Sequence, residues 1–84
     1  MPAFAWDEDN LYLCGSLGPD LFVVSRTGQT ILRAEDLDPE YMWPTEIALE
    51  GGQAVISYEG SMTDGYGGPY RLKVDLATLE TSRL

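Results

Sequence analysis

Apolar and polar residues exchange places at nearly every second position along this chain, the period of half-buried β-strands. Phe4 and Trp6 fall on one face of the first such segment; Leu11 and Leu13 share a face of the next, with Tyr12 and Cys14 opposite. The stretches "DLFVVSR" (20–26) and "QTILRA" (29–34) flank Thr27-Gly28, a hairpin signal in which glycine supplies positive φ. Strand character resumes with "TEIALE" (45–50), a Gly51-Gly52 turn and "QAVISYE" (53–59). A glycine-rich loop, "GSMTDGYGGP" (60–69), then leads to "YRLKVDLA" (70–77) and "ETSRL" (80–84).

Between these halves, "AEDLDPEYMWP" (34–44) is the one stretch with helix-start chemistry. Asp38 can cap, Pro39 suits the first helical position, Glu40 favours the first turn, and Leu37 with Met42 has hydrophobic-staple spacing. Pro44 prevents continuation. The pattern predicts an all-β fold of about eight short antiparallel strands in two similar halves, with one short helical turn near 38–43. A small barrel, a sandwich or a propeller-blade-like arrangement would fit.

The halves echo one another. A shift of 43 residues sets "AFAWDEDNLYLC" (3–14) over "EIALEGGQAVIS" (46–57), so that Phe4 meets Ile47, Trp6 meets Leu49 and Leu13 meets Ile56. Turn falls on turn. The whole of 1–84 reads as a single domain with a possible internal repeat of 3–34 and 46–84, since 84 residues leave no room for a second core.

The segments "NLYLCGS" followed by "DLFVVSRTGQTI", and "QAVISYEG" followed by "YRLKVDLATLET", resemble the middle and outer strands of bacterial β-propeller blades. In those blades a strand ending in Asp passes through a short Thr-containing turn into the last strand. Asp75 and Thr78 match that pattern, whereas the first copy has Ser25 and Thr27. The Gly-His and Trp-Asp signatures of WD-type blades are missing. Two blades cannot close a ring within one chain, so the resemblance implies either an oligomer, as in two-repeat lectins, or two sheets packed on each other. The compact monomer is favoured, because the frequent Trp-Gly pairs of such lectins are missing; a homo-oligomer is the alternative.

Charge narrows the function. Fourteen acidic against five basic residues give a net charge of −9, and no Lys or Arg lies between Arg33 and Arg71. Such a field repels phosphate backbones, so direct nucleic-acid binding is not expected, whereas a basic protein surface is its complement. With no His and one Cys, neither a Ser-His nor a Cys-His nucleophile can be assembled, and no zinc set is completed. The expectation is a non-enzymatic protein with no cofactor and no metal. "DEDN" (7–10) offers alternating oxygen ligands, but its counterpart "EGGQ" keeps the length and loses them, which favours a turn. Cys14, matched by Ser57, reads as a small inert strand residue. No signal-peptide plan and no apolar run approaching ~20 residues is present, so a soluble cytoplasmic protein is expected, with no membrane partner.

Two segments carry the candidate interaction residues. The acidic stretch contributes Glu35, Asp36, Asp38, Glu40, Tyr41, Trp43, Glu46 and Glu50. The loop contributes Asp64, Tyr66 and Tyr70, in a Tyr, Ser and Gly composition like that of binding loops. Together they point to an acidic interaction module, inhibitor-like, presenting phosphate-like charge to a basic or nucleic-acid-binding protein. Anti-CRISPR proteins and nuclease immunity proteins are comparable in size, charge and lack of catalytic residues. A propeller-like carbohydrate-binding oligomer using Trp6 and Trp43 is the alternative. An enzyme built on paired carboxylates would need a cleft holding two of them.

Overall fold

A computed structural model of the chain describes residues 3–15, 20–35 and 37–84. Among the described residues, eight strands form two four-stranded antiparallel meanders. The first sheet holds β1 (Ala3–Trp6), β2 (Asn10–Cys14), β3 (Leu21–Ser25) and β4 (Thr30–Ala34). The second holds β5 (Tyr41–Glu50), β6 (Gln53–Ser61), β7 (Tyr70–Asp75) and β8 (Thr81–Arg83). Each sheet runs in simple sequence order, as successive hairpins require, and among the described residues no ladder joins one sheet to the other. Their apolar faces meet in one core, so the fold is a sandwich rather than a closed barrel.

Register decides what the core contains. Across the first sheet Ala3, Cys14, Leu21 and Ala34 stand opposite one another, and all four are buried. Tyr12 and Val23 form the next inward row. The second sheet supplies Ile47, Ile56 and Leu72 in one row, Ala54 and Val74 in another, and the fully enclosed ring of Tyr58. The small inward side chains of the first sheet leave room for the larger ones of the second, as close packing demands.

The 43-residue shift carries strand onto strand but inner face onto outer face. Phe4 and Leu13 point outward while their counterparts Ile47 and Ile56 are buried; Ala3 and Cys14 are buried while Glu46 is exposed and Ser57 only half-buried. Because side chains alternate with period two, an odd offset between two sheets exchanges their faces.

The turns follow local chemistry. Asp7 Oδ1 accepts the backbone N–H groups of Asp9 and Asn10, both at 2.9 Å, and its Oδ2 accepts the Tyr12 hydroxyl at 2.7 Å. The "DEDN" segment is thus a hairpin turn pinned by its first acid, whose pKa these bonds lower, the Tyr12 hydroxyl foremost. Asp75 repeats the device at the β7–β8 turn, accepting from Ala77 and Thr78 at 2.8 and 3.1 Å. At the β3–β4 turn Ser25 stands in for the acid, its hydroxyl 2.9 Å from that of Thr27.

One sequence expectation gives way. Residues 38–43 form no helical turn; the Tyr41 N–H donates to the Asp38 carbonyl at 3.1 Å, closing a β-turn, and the chain enters β5 at once. Asp38 Oδ1 accepts the Glu40 N–H at 3.1 Å, a bond made within this turn and not as a helix cap. The helix is overridden because Tyr41 and Pro44 are needed inward, opposite Ser61 and Tyr58.

Candidate functional site: an aromatic and carboxylate cleft

Edge strand β1 of the first sheet lies against edge strand β5 of the second, and the seam opens into a cleft of about 480 Å³. Phe4, Trp43 and Tyr66 line it with Ala3, Pro44 and Thr45, and Glu46 and Glu59 bring carboxylates to it. Three aromatic rings and two acids therefore converge from three separate parts of the chain.

The Trp43 backbone explains how its ring comes to be there. The β5–β6 register slips between Pro44 and Glu46, and Trp43 itself takes φ 58°, a left-handed conformation that costs a bulky residue about 1–2 kcal/mol. Its indole stacks on the Tyr66 ring, with centroids 4.5 Å apart and planes 8° from parallel. Beneath it lies Gly60, where an added Cβ would sit 2.6 Å from Trp43 Cζ3 and 2.5 Å from the Gly65 carbonyl oxygen. Glycine is required there.

Tyr66 is delivered by a built loop. Ser61 and Gly65 exchange backbone hydrogen bonds at 2.9 Å in each direction, and the Asp64 N–H donates to Ser61 Oγ at 3.0 Å. The Met62 N–H reaches the Glu40 carbonyl at 2.6 Å and the Gly68 N–H the Glu59 carbonyl at 3.0 Å, anchoring the loop at two points. Tyr66 itself stays 74% exposed, so its outer face is available.

Glu46 and Glu59 are exposed, and among the described residues neither forms an ion pair. Their field acts on whatever enters the cleft. Rings of this kind attract a cation over their faces, and carboxylates accept its N–H groups, so the arrangement suits a guanidinium or ammonium group. The flat faces would equally stack on a sugar ring.

The remaining sequence candidates are dispersed. Asp38 is buried and holds Arg83 in a two-pronged pair, Oδ2 with Nε at 2.6 Å and Oδ1 with Nη2 at 2.9 Å. Glu40 accepts from the same guanidinium at 2.9 Å, and the guanidinium lies 4.9 Å from the centre of the Tyr41 ring. Tyr41 is buried and packs on Tyr58 and Tyr70. These residues tie β8 to the start of β5. Glu35 pairs with Arg33 at 2.7 Å in the open, and Asp36 lies outside the described residues. Glu50 shares the outer face of the second sheet with Glu46, while Asp64 accepts the Tyr70 hydroxyl at 3.4 Å. Of the eleven candidates, the cleft gathers Trp43, Glu46 and Tyr66.

Phe4 and Glu59 complete the site without having been singled out in the sequence. Alternation alone could have placed Phe4 on a face but not said that the face was outward. Cys14 is enclosed, and burial pushes its thiol up to about 12, so no thiolate forms at neutral pH.

No family model matches the chain, and neither a curated protein nor a solved structure matches it. Among the described residues no helix is long and apolar enough to cross a membrane.

Proposed function

We propose that this chain is a non-enzymatic interaction module that binds one basic protein partner, seating a cationic side chain of that partner in the β1–β5 cleft. The observation that carries this reading is the convergence of Phe4, Trp43 and Tyr66 with Glu46 and Glu59, two carboxylates that form no ion pair among the described residues, in a chain of net charge −9. Trp43 held in a strained backbone conformation supports it, because such strain collects where recognition requires it. A lone cysteine fits a reducing cytoplasm, and the mode of action is that of a small acidic inhibitor occupying a basic groove.

The phosphate-like charge shifts accordingly. Asp38 and Glu40 are spent on Arg83, so Glu46 and Glu59, rather than the run 35–40, meet the partner. Titration with an arginine-rich peptide tests this. Affinity should fall steeply with salt and fall at least tenfold in Glu46→Lys/Glu59→Lys, while the equal charge change Glu8→Lys/Asp9→Lys leaves most of it. Equal losses in both double variants would mean charge without a site.

A carbohydrate ligand is the second reading, favoured by the open Tyr66 face. Saturable binding of a neutral oligosaccharide, abolished by Tyr66→Ala and indifferent to salt, would replace the first reading.

A further inference from the structure

The outer face of the first sheet is apolar where an outer face should be polar. Phe4, Leu13 and Phe22 stand in one row across β1, β2 and β3, and Trp6, Leu11 and Val24 in the next. Phe4 is 57% and Trp6 68% exposed, and their rings stack with centroids 5.6 Å apart; the other four are half-buried, with Arg33 over the Phe22 ring. With large aromatics worth roughly 150–250 Å² each, Phe4 and Trp6 present about 300 Å², and the four half-buried side chains bring the face to on the order of 500 Å². That is in the upper half of the range of about 300–600 Å² found for the largest patch of a soluble monomer, a patch that is often functional.

We infer that this face is the interface of a two-fold homodimer, in which the first sheets of two copies pack face to face. Area is the first reason. One side of a standard interface buries about 800 Å², a little over half of it apolar, which is about what these six side chains provide. Charge is the second. The two rows carry no acid; they end at β4 in Thr30 and in Arg33, which lies over the Phe22 ring and pairs with Glu35. The carboxylates nearest this face lie at its margins, Glu35 beside Arg33 and Glu46 and Glu59 in the cleft that Phe4 also lines, so two acidic chains would meet chiefly through apolar atoms, whereas a basic partner is drawn to the acids at the cleft and on the second sheet. Geometry is the third, since a two-fold axis sets the same sheet face against its own copy, and face-to-face sheet packing is how this chain already buries its inner rows.

Phe4 stands at the border of this surface and the cleft, and salt distinguishes what each of them binds. Screening relieves repulsion between two chains of net charge −9, so dimerisation should tighten as salt rises, the opposite of basic-partner binding. Sedimentation equilibrium of the full chain, over a wide concentration range at low and high salt, should show monomer and dimer with a dissociation constant several-fold lower at high salt. Trp6→Ser should weaken dimerisation at least tenfold, and so should the gentler Leu11→Ser, with far-UV circular dichroism unchanged. A chain that stays monomeric at every concentration overturns the inference. So does a dimer indifferent to both substitutions, or an assembly larger than two. Loss of arginine-peptide binding in Trp6→Ser would assign the face to the partner instead.

Discussion

The two sheets share strand order, hairpin connections and even the acid-pinned turn, yet their outer faces have opposite chemistry. The first sheet shows solvent Phe4, Leu13 and Phe22 where the second shows Glu46, Ser57 and Arg71. The second is an ordinary antiparallel sheet, apolar inside and polar outside; the first is apolar on both faces, a composition that belongs to sheets covered on both sides. Similar folds thus carry different obligations, and the excess apolar surface of the first sheet is what a second chain would cover.

The sharpest way to break that comparison is to delete the same carbon atoms from matched positions. Ile56 and Leu13 coincide at the 43-residue shift, but Ile56 is fully buried and Leu13 half-buried on the outer face. Ile56→Ala should cost about 3 kcal/mol and Leu13→Ala about 1 kcal/mol in chemical denaturation of the dilute chain. Equal costs would mean that the faces do not differ.

The edges differ next. At β8, Asp38 is buried against Arg83, whereas the Arg33–Glu35 pair beside β4 is more than half exposed on both sides. Asp38→Ala should cost about 2 kcal/mol through lost charge-assisted hydrogen bonds, and Glu35→Ala close to nothing.

Each sheet also buries a tyrosine. The Tyr12 hydroxyl donates to Asp7, while that of Tyr58, among the described residues, has no hydrogen-bond partner. Tyr58→Phe should stabilise the protein by about 1 kcal/mol, read as a rise of several degrees in melting temperature, and Tyr12→Phe should destabilise it by a similar amount.

The smallest effect is the one in which the sheets should agree. The Tyr12 hydroxyl, with two backbone N–H groups, lowers the pKa of Asp7; backbone N–H groups lower that of Asp75. A folded pKa below the unfolded value adds stability above pH about 4 that is lost as pH falls through the folded value. Asp7→Ala and Asp75→Ala should each flatten the acid limb of the stability curve, removing a contribution that is present above about pH 4 and is lost in acid.

Period-two alternation made the strands, the Gly-bearing turns and the absence of a long helix legible in the sequence. It could not say which phase faced inward, because in 3–14 both phases are apolar: Phe4, Trp6, Leu11 and Leu13 against Ala3, Ala5, Tyr12 and Cys14. Only contact with the second sheet decides, and it selects the smaller set of Ala3, Ala5, Tyr12 and Cys14. A chain reversal at Asp38 was readable, but the helix cap and helical turn expected there yielded to a β-turn and to the demand for Tyr41 and Pro44 in the core. Trp43 and Tyr66 were readable as residue types suited to contact; their meeting depended on a bulge and on Gly60, which no local pattern signals. Asp38 and Glu40 were drawn from the acidic stretch by Arg83, more than forty residues away, a pairing invisible to local reading.

Nature has placed one tryptophan on each surface, Trp6 on the outer face of the first sheet and Trp43 in the cleft. Fluorescence of Trp43→Phe and Trp6→Phe variants, each first shown by calorimetry and sedimentation still to bind peptide and to dimerise, therefore tests the division of labour most directly. The Trp6 signal should shift on dilution and ignore an arginine-rich peptide, and the Trp43 signal should shift with peptide and ignore dilution. If one stimulus moves both signals alike, the two faces do not act as separate surfaces.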